Sequence, residues 1–76
     1  MSPEKLTYMA NQIAGFFRTR PRQEAIDGVA DHISKFWEPR MRAQLFSMIE
    51  QGGAGFDPLV LDAAPGIRKV GQPFRQ

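Results

Sequence analysis

A chain of 76 residues makes one domain, and at 42% hydrophobic and 24% charged it has the composition of a folded one. It has no cysteine and one histidine. That excludes disulfides, thiolate zinc sites and ordinary iron–sulfur ligation, and disfavours a dedicated transition-metal site. The net charge of +2 is small and its signs are interspersed, which reads as solvation more than as a nucleic-acid footprint.

Ser2-Pro3-Glu4 is a helix start: an N-cap hydroxyl, a proline at the first helical position and an acid in the first turn. Leu6, Met9, Ala10, Ile13, Phe16 and Phe17 follow at three- and four-residue steps, an apolar arc of roughly 100° on a helical wheel. The first helix is predicted from Pro3 to Phe17 or Arg18. Thr19-Arg20-Pro21 breaks it, and Pro21 can open a second. There Ile26, Val29, Ala30, Ile33, Phe36 and Trp37 form the arc. Glu24, Asp27, Asp31 and Lys35 stripe the far side. The second helix stops at Glu38-Pro39, because a residue before proline avoids the helical region. Pro39 opens a third helix with Met41, Leu45, Met48 and Ile49 on its apolar face, ended by Gly52-Gly53. Asp57-Pro58 starts a short fourth, over Leu59 to Ala64, stopped by Pro65-Gly66. Residues 66–76 have no period. The predicted fold is all-α: one small three-helix domain over 1–65 with a short fourth helix, and an irregular C-terminal tail over 66–76.

A domain this short buries only about 60% of its unfolded surface, so it needs support, and with no disulfide and no metal a partner is the support left. Little chain remains to build a catalytic pocket beside a core, and no catalytic, cofactor-binding or metal-ligating residue is assigned. Met1 to Lys5 shows no secretory pattern, and no apolar run approaches the ~20 residues of a membrane helix, so a cytoplasmic location and no membrane contact are expected.

Each motif has a bland reading that competes with a functional one. Asp31 and His32 are helix neighbours and point about 100° apart, so they do not form a catalytic pair; recognition suits His32 better than chemistry. Glu24, Asp27 and Asp31 read as a solvated face. Gly52-Gly53-Ala54-Gly55 lacks the preceding strand and the following lysine–hydroxyl pair of a phosphate loop, and reads as a helix stop and hinge. The arginines and aromatics weigh more. Arg18, Arg20 and Arg22 cluster at the first connection. Arg40 and Arg42 begin the third helix, where a cation opposes the macrodipole; pairing with a partner's carboxylate, or with phosphate, would explain them. Six Phe, one Trp and one Tyr are many for this length, and exposed aromatics beside arginines compose a protein–protein interface. The junction Phe36-Trp37-Glu38-Pro39-Arg40-Met41-Arg42 combines both. The predicted partner-binding set is Asp31, His32, Phe36, Trp37, Arg40, Met41 and Arg42.

Several phrases together resemble one family. Met9-Ala10-Asn11-Gln12-Ile13 with Phe16-Phe17, Val29-Ala30-Asp31-His32-Ile33, Lys35-Phe36-Trp37 with Pro39-Arg40-Met41-Arg42, then Gly52-Gly53-Ala54-Gly55, Asp57-Pro58-Leu59-Val60 and Ala63-Ala64-Pro65 are similar to the delta subunit of soluble NAD-dependent formate dehydrogenases. The resemblance spans about residues 2–68. It implies a cofactor-free accessory subunit of a cytoplasmic complex that oxidises formate and reduces NAD. The alpha subunit of that complex would carry molybdenum bis-molybdopterin guanine dinucleotide and iron–sulfur clusters; the beta and gamma subunits would carry FMN and further clusters. The implied role is assembly, stability or molybdenum-cofactor loading, by docking on the catalytic alpha subunit. A small helical nucleic-acid-binding protein is the alternative, and the acidic face of the second helix speaks against it. An enzyme in its own right lacks the machinery.

Overall fold

A computed structural model describes residues 1–70. The predicted tail residues 71–76, with Phe74 and Arg75, lie outside the described residues. Four helices follow in order: α1 Pro3–Phe17, α2 Arg22–Phe36, α3 Pro39–Glu50 and α4 Pro58–Ala63. A 3₁₀ turn over Ala64–Gly66 closes α4. There is no strand among the described residues, so the fold is all-α as expected.

Three of the four helix starts carry a capping side chain; α2 follows Pro21 without one. Ser2 Oγ accepts from Lys5 N at 3.1 Å, with Pro3 in the first turn of α1. Glu38 accepts from Arg40 N at 3.3 Å ahead of Pro39. Asp57 Oδ1 accepts from Leu59 N at 2.8 Å ahead of Pro58. These side chains satisfy amide donors that a helix N-terminus otherwise leaves orphaned. The stop of α3 is a Schellman motif: Gly53 N donates to Met48 O and Gly52 N donates to Ile49 O, both at 3.0 Å. It requires Gly52 at φ 119° and Gly53 at φ 67°, in the region that favours glycine.

α2 is the hub, packed against α1, α4 and the 3₁₀ turn, while α1 also meets α3 and α4. The core takes Leu6, Ala10 and Ala14 from α1 and Ala25, Val29, Ala30 and Ile33 from α2. Trp37, Leu45, Phe56, Leu59, Val60, Ala63 and Ile67 complete it. On α1 the buried stripe is rotated from the predicted arc. Ala14 is inside, Met9, Ile13 and Phe17 are half-buried, and Phe16 is exposed. Small residues at positions 10 and 14 let neighbouring helices approach closely, so the bulkier side chains stay at the rim.

Two expectations change here. Ile67 is 2% exposed, so the packed body runs past residue 65 into the predicted tail. Its continuation is held as well, because Arg68 N donates to Ser34 Oγ at 2.8 Å. Arg42, expected to face a partner, is only 7% exposed. Its guanidinium donates from Nη1 to Trp37 O at 2.7 Å and from Nε to Arg68 O at 3.1 Å. Trp37 caps the C-terminus of α2, where carbonyls lack partners and a cation is favourable. Arg42 therefore ties α3 to the end of α2 and to the segment after the 3₁₀ turn.

Candidate functional site

An apolar groove of about 390 Å³ opens between α1 and the C-terminal half of α2. Met9, Ile13, Phe16 and Phe17 line it from α1, and His32 and Trp37 from α2 and its cap. Phe16 and Phe17 meet edge to face, with ring centres 5.1 Å apart. On the other wall His32 lies against Phe36, with ring centres 4.8 Å apart and planes tilted by 41°. Phe16 is 68% and Phe36 73% exposed, so two phenyl rings stand in water beside the groove. Arg20 closes one end, its guanidinium 6.0 Å from the Phe16 ring centre and 5.5 Å from that of Phe17. The glycine at position 28 makes the Phe17 wall possible. A Cβ there would stand 2.5 Å from the Phe17 ring, so the ring lies against bare α2 backbone.

The predicted partner-binding set is divided by this geometry. His32 and Trp37 line the groove and Phe36 adjoins it, although Trp37 is a buried part of its floor. Asp31 is exposed and pairs with Lys35 at 3.3 Å, away from the groove lining. Arg40 is exposed in the first turn of α3, and Met41 is half-buried against the core. Arg42 is internal. The α1 half of the site lies outside the predicted partner-binding set: Phe16 belongs to the predicted apolar arc of α1, and the alanine-centred burial of that helix turns its ring outward.

The remaining arginines of the first connection find acids within the chain. Arg18 donates to Asp57 and Arg22 to Asp62, while Arg20 stands 3.6 Å from Glu24. The Arg18 hydrogen bond holds the Asp57 carboxyl below the usual carboxylate range, against the opposing effect of burial and with help from the Leu59 amide. Asn11 of α1 clamps the same region. Its Nδ2 donates to Gly55 O at 2.9 Å and its Oδ1 accepts from Asp57 N at 2.8 Å. The sequence signal for Asn11 is faint, since any exposed amide would fit the pattern.

Among the described residues no three His, Asp or Glu side chains converge as metal donors, and no helix is long and apolar enough to cross a membrane. The sequence holds no cysteine and so offers no thiolate ligand.

The family model for the NADH-dependent formate dehydrogenase delta subunit, FdsD, matches residues 5–64. The chain belongs to the FdsD family. The match takes in all of α2, α3 and α4 and most of α1, and with them both walls of the groove. A search of the curated proteins gave no match. The family description is that of a delta subunit of an NADH-dependent formate dehydrogenase.

Proposed function

We propose that this FdsD chain is a non-catalytic accessory subunit that docks on the catalytic alpha subunit of a cytoplasmic NAD-dependent formate dehydrogenase, with beta and gamma subunits in the same complex. It supports assembly, stability or loading of the molybdenum cofactor. The molybdenum bis-molybdopterin guanine dinucleotide, the iron–sulfur clusters and the FMN belong to the partner subunits. What carries this reading is the pairing of the family match with an open aromatic groove inside the matched residues. An exposed apolar site ringed by polar residues marks a protein contact more often than it serves a free monomer.

The test is co-expression of the alpha, beta and gamma subunits with and without the tagged chain. Affinity purification on the tag should recover the alpha subunit. Omitting the chain should lower complex yield, molybdenum content or formate-dependent NAD reduction. An eluate holding the tagged chain alone, with an omission strain of unchanged yield, molybdenum content and activity, would refute the proposal.

A further inference from the structure

The groove has a shape and a charge that select its occupant. Its α1 wall runs from Met9 through Ile13 to Phe16, seven residues or about 10.5 Å along a helix axis. That is the distance between the first and last of three apolar side chains at i, i+3 or i+4, and i+7 on an incoming helix. Both walls are helical and no sheet edge exists among the described residues, so strand addition has no template. A third helix laid between two others is the ordinary solution by ridge and groove packing. Among the described residues no carboxylate lines the opening; its polar contributions are Gln12 and His32. Arg20 stands at the Phe16–Phe17 end with its side chain 45% exposed. Its nearest acid, Glu24, lies at 3.6 Å, beyond hydrogen-bond range. The guanidinium therefore has donors to offer.

From this geometry we infer that the groove receives an amphipathic helix of another formate dehydrogenase subunit, which seats three apolar side chains over two turns and presents a carboxylate to Arg20. The inference rests on the accessory-subunit reading above. A second copy of this chain does not fit as well. A two-fold contact sets the same face against itself, and the lining of this face holds no acid to answer its own Arg20.

The test uses the co-expressed complex with a photo-crosslinking residue at Phe36 and peptide mapping by mass spectrometry. The expected crosslink falls in a helical segment of another subunit with apolar residues at i, i+3 or i+4, and i+7 and an Asp or Glu at one end. Arg20→Glu, checked for unchanged helicity in the isolated chain, should lower recovery of the complex at low salt by about tenfold or more. Reversing the mapped carboxylate to Lys should restore it. A crosslink to a second copy, or to a segment without a carboxylate, overturns the inference, as does full recovery with Arg20→Glu. If the unmodified chain still recovers the alpha subunit in such a case, the accessory-subunit reading stands and only the groove assignment falls. If the unmodified chain recovers no subunit at all, both fall together.

Discussion

Replacing Arg42 should unfold this domain more readily than any surface change. Arg42→Ala removes two hydrogen bonds from a charged donor, to Trp37 O and Arg68 O. Hydrogen bonds to charged groups contribute roughly 1.5–3 kcal/mol each. The two are not equal, because the Trp37 bond is buried and the Arg68 bond only partly so; the Arg68 carbonyl can turn to water. Truncation also strips the aliphatic stem from its packing. Against this, the cost of keeping a cation away from water disappears. The net loss should be about 2–4 kcal/mol. A domain of this length holds about 4–11 kcal/mol in all, and a melting temperature falls ~4–8 °C per kcal/mol at this size. The expected drop is therefore roughly 10–30 °C by thermal circular dichroism. Arg42→Met keeps the stem and should cost about half as much. Arg42→Lys, a point charge without the fork, can serve one carbonyl and should fall between the parent and Arg42→Ala. An Arg42→Ala protein within about 0.5 kcal/mol of the parent would refute the clamp and return Arg42 to the partner-facing surface.

Three further outcomes follow from other positions. The depressed carboxyl of Asp57 contributes stability that is complete above the ordinary carboxylate range near ~4 and is lost as pH falls through its lower folded value. The urea midpoint should therefore fall more steeply on acidification in the parent than in Asp57→Asn, which retains an N-cap side chain; parallel curves would remove the Arg18–Asp57 pair from the account. Gly15 has open space where a Cβ would go, so Gly15→Ala should stabilise α1 by about 0.5–1 kcal/mol, whereas Gly28→Ala drives a methyl into Phe17 and should destabilise despite its better helix propensity. Denaturant melts of the two variants should shift in opposite directions. Asn11→Leu leaves Gly55 O and Asp57 N without their partner and should cost about 1–3 kcal/mol, with faster amide exchange at Asp57 as its local signature.

The helices were legible because their signals are local. Ser2-Pro3, Glu38-Pro39 and Asp57-Pro58 each place an acceptor ahead of a proline, and the observed starts fall there. Gly52-Gly53 marks the end of α3 for an equally local reason, the positive φ of its cap. What a single helix cannot reveal is the angle at which it is buried. The α1 arc from Leu6 to Phe17 is wide enough to seat on either flank, and the alanines at 10 and 14 decide it only when neighbouring helices press against them. Phe16, on the predicted apolar arc, thus lies at the rim of the groove. Arg42 escaped for a related reason. Its acceptors belong to residues 5 positions before and 26 after it, and one of them is reached only once Ile67 has packed. The predicted junction of residues 36–42 is divided by burial. Phe36 and Arg40 are exposed on it, while Trp37 and Arg42 serve the interior.

The distribution of side-chain size supports a surface built for contact rather than for the chain's own stability. Among the described residues, five of the fourteen buried apolar side chains are alanines, at positions 10, 14, 25, 30 and 63, and two, Trp37 and Phe56, are aromatic. Meanwhile Tyr8, Phe16 and Phe36 stand exposed. A small domain selected only for stability would place its largest apolar side chains inside, since each contributes roughly 1.5–3 kcal/mol on burial. Phe16 and Phe36 forgo that contribution on either side of one groove, with the Arg20 guanidinium beside the first and the His32 ring beside the second. Both rings can still gain it when a second apolar surface covers them. If they do, docking and folding stability are linked: the bound chain should melt well above the free one, by an amount that grows with partner concentration.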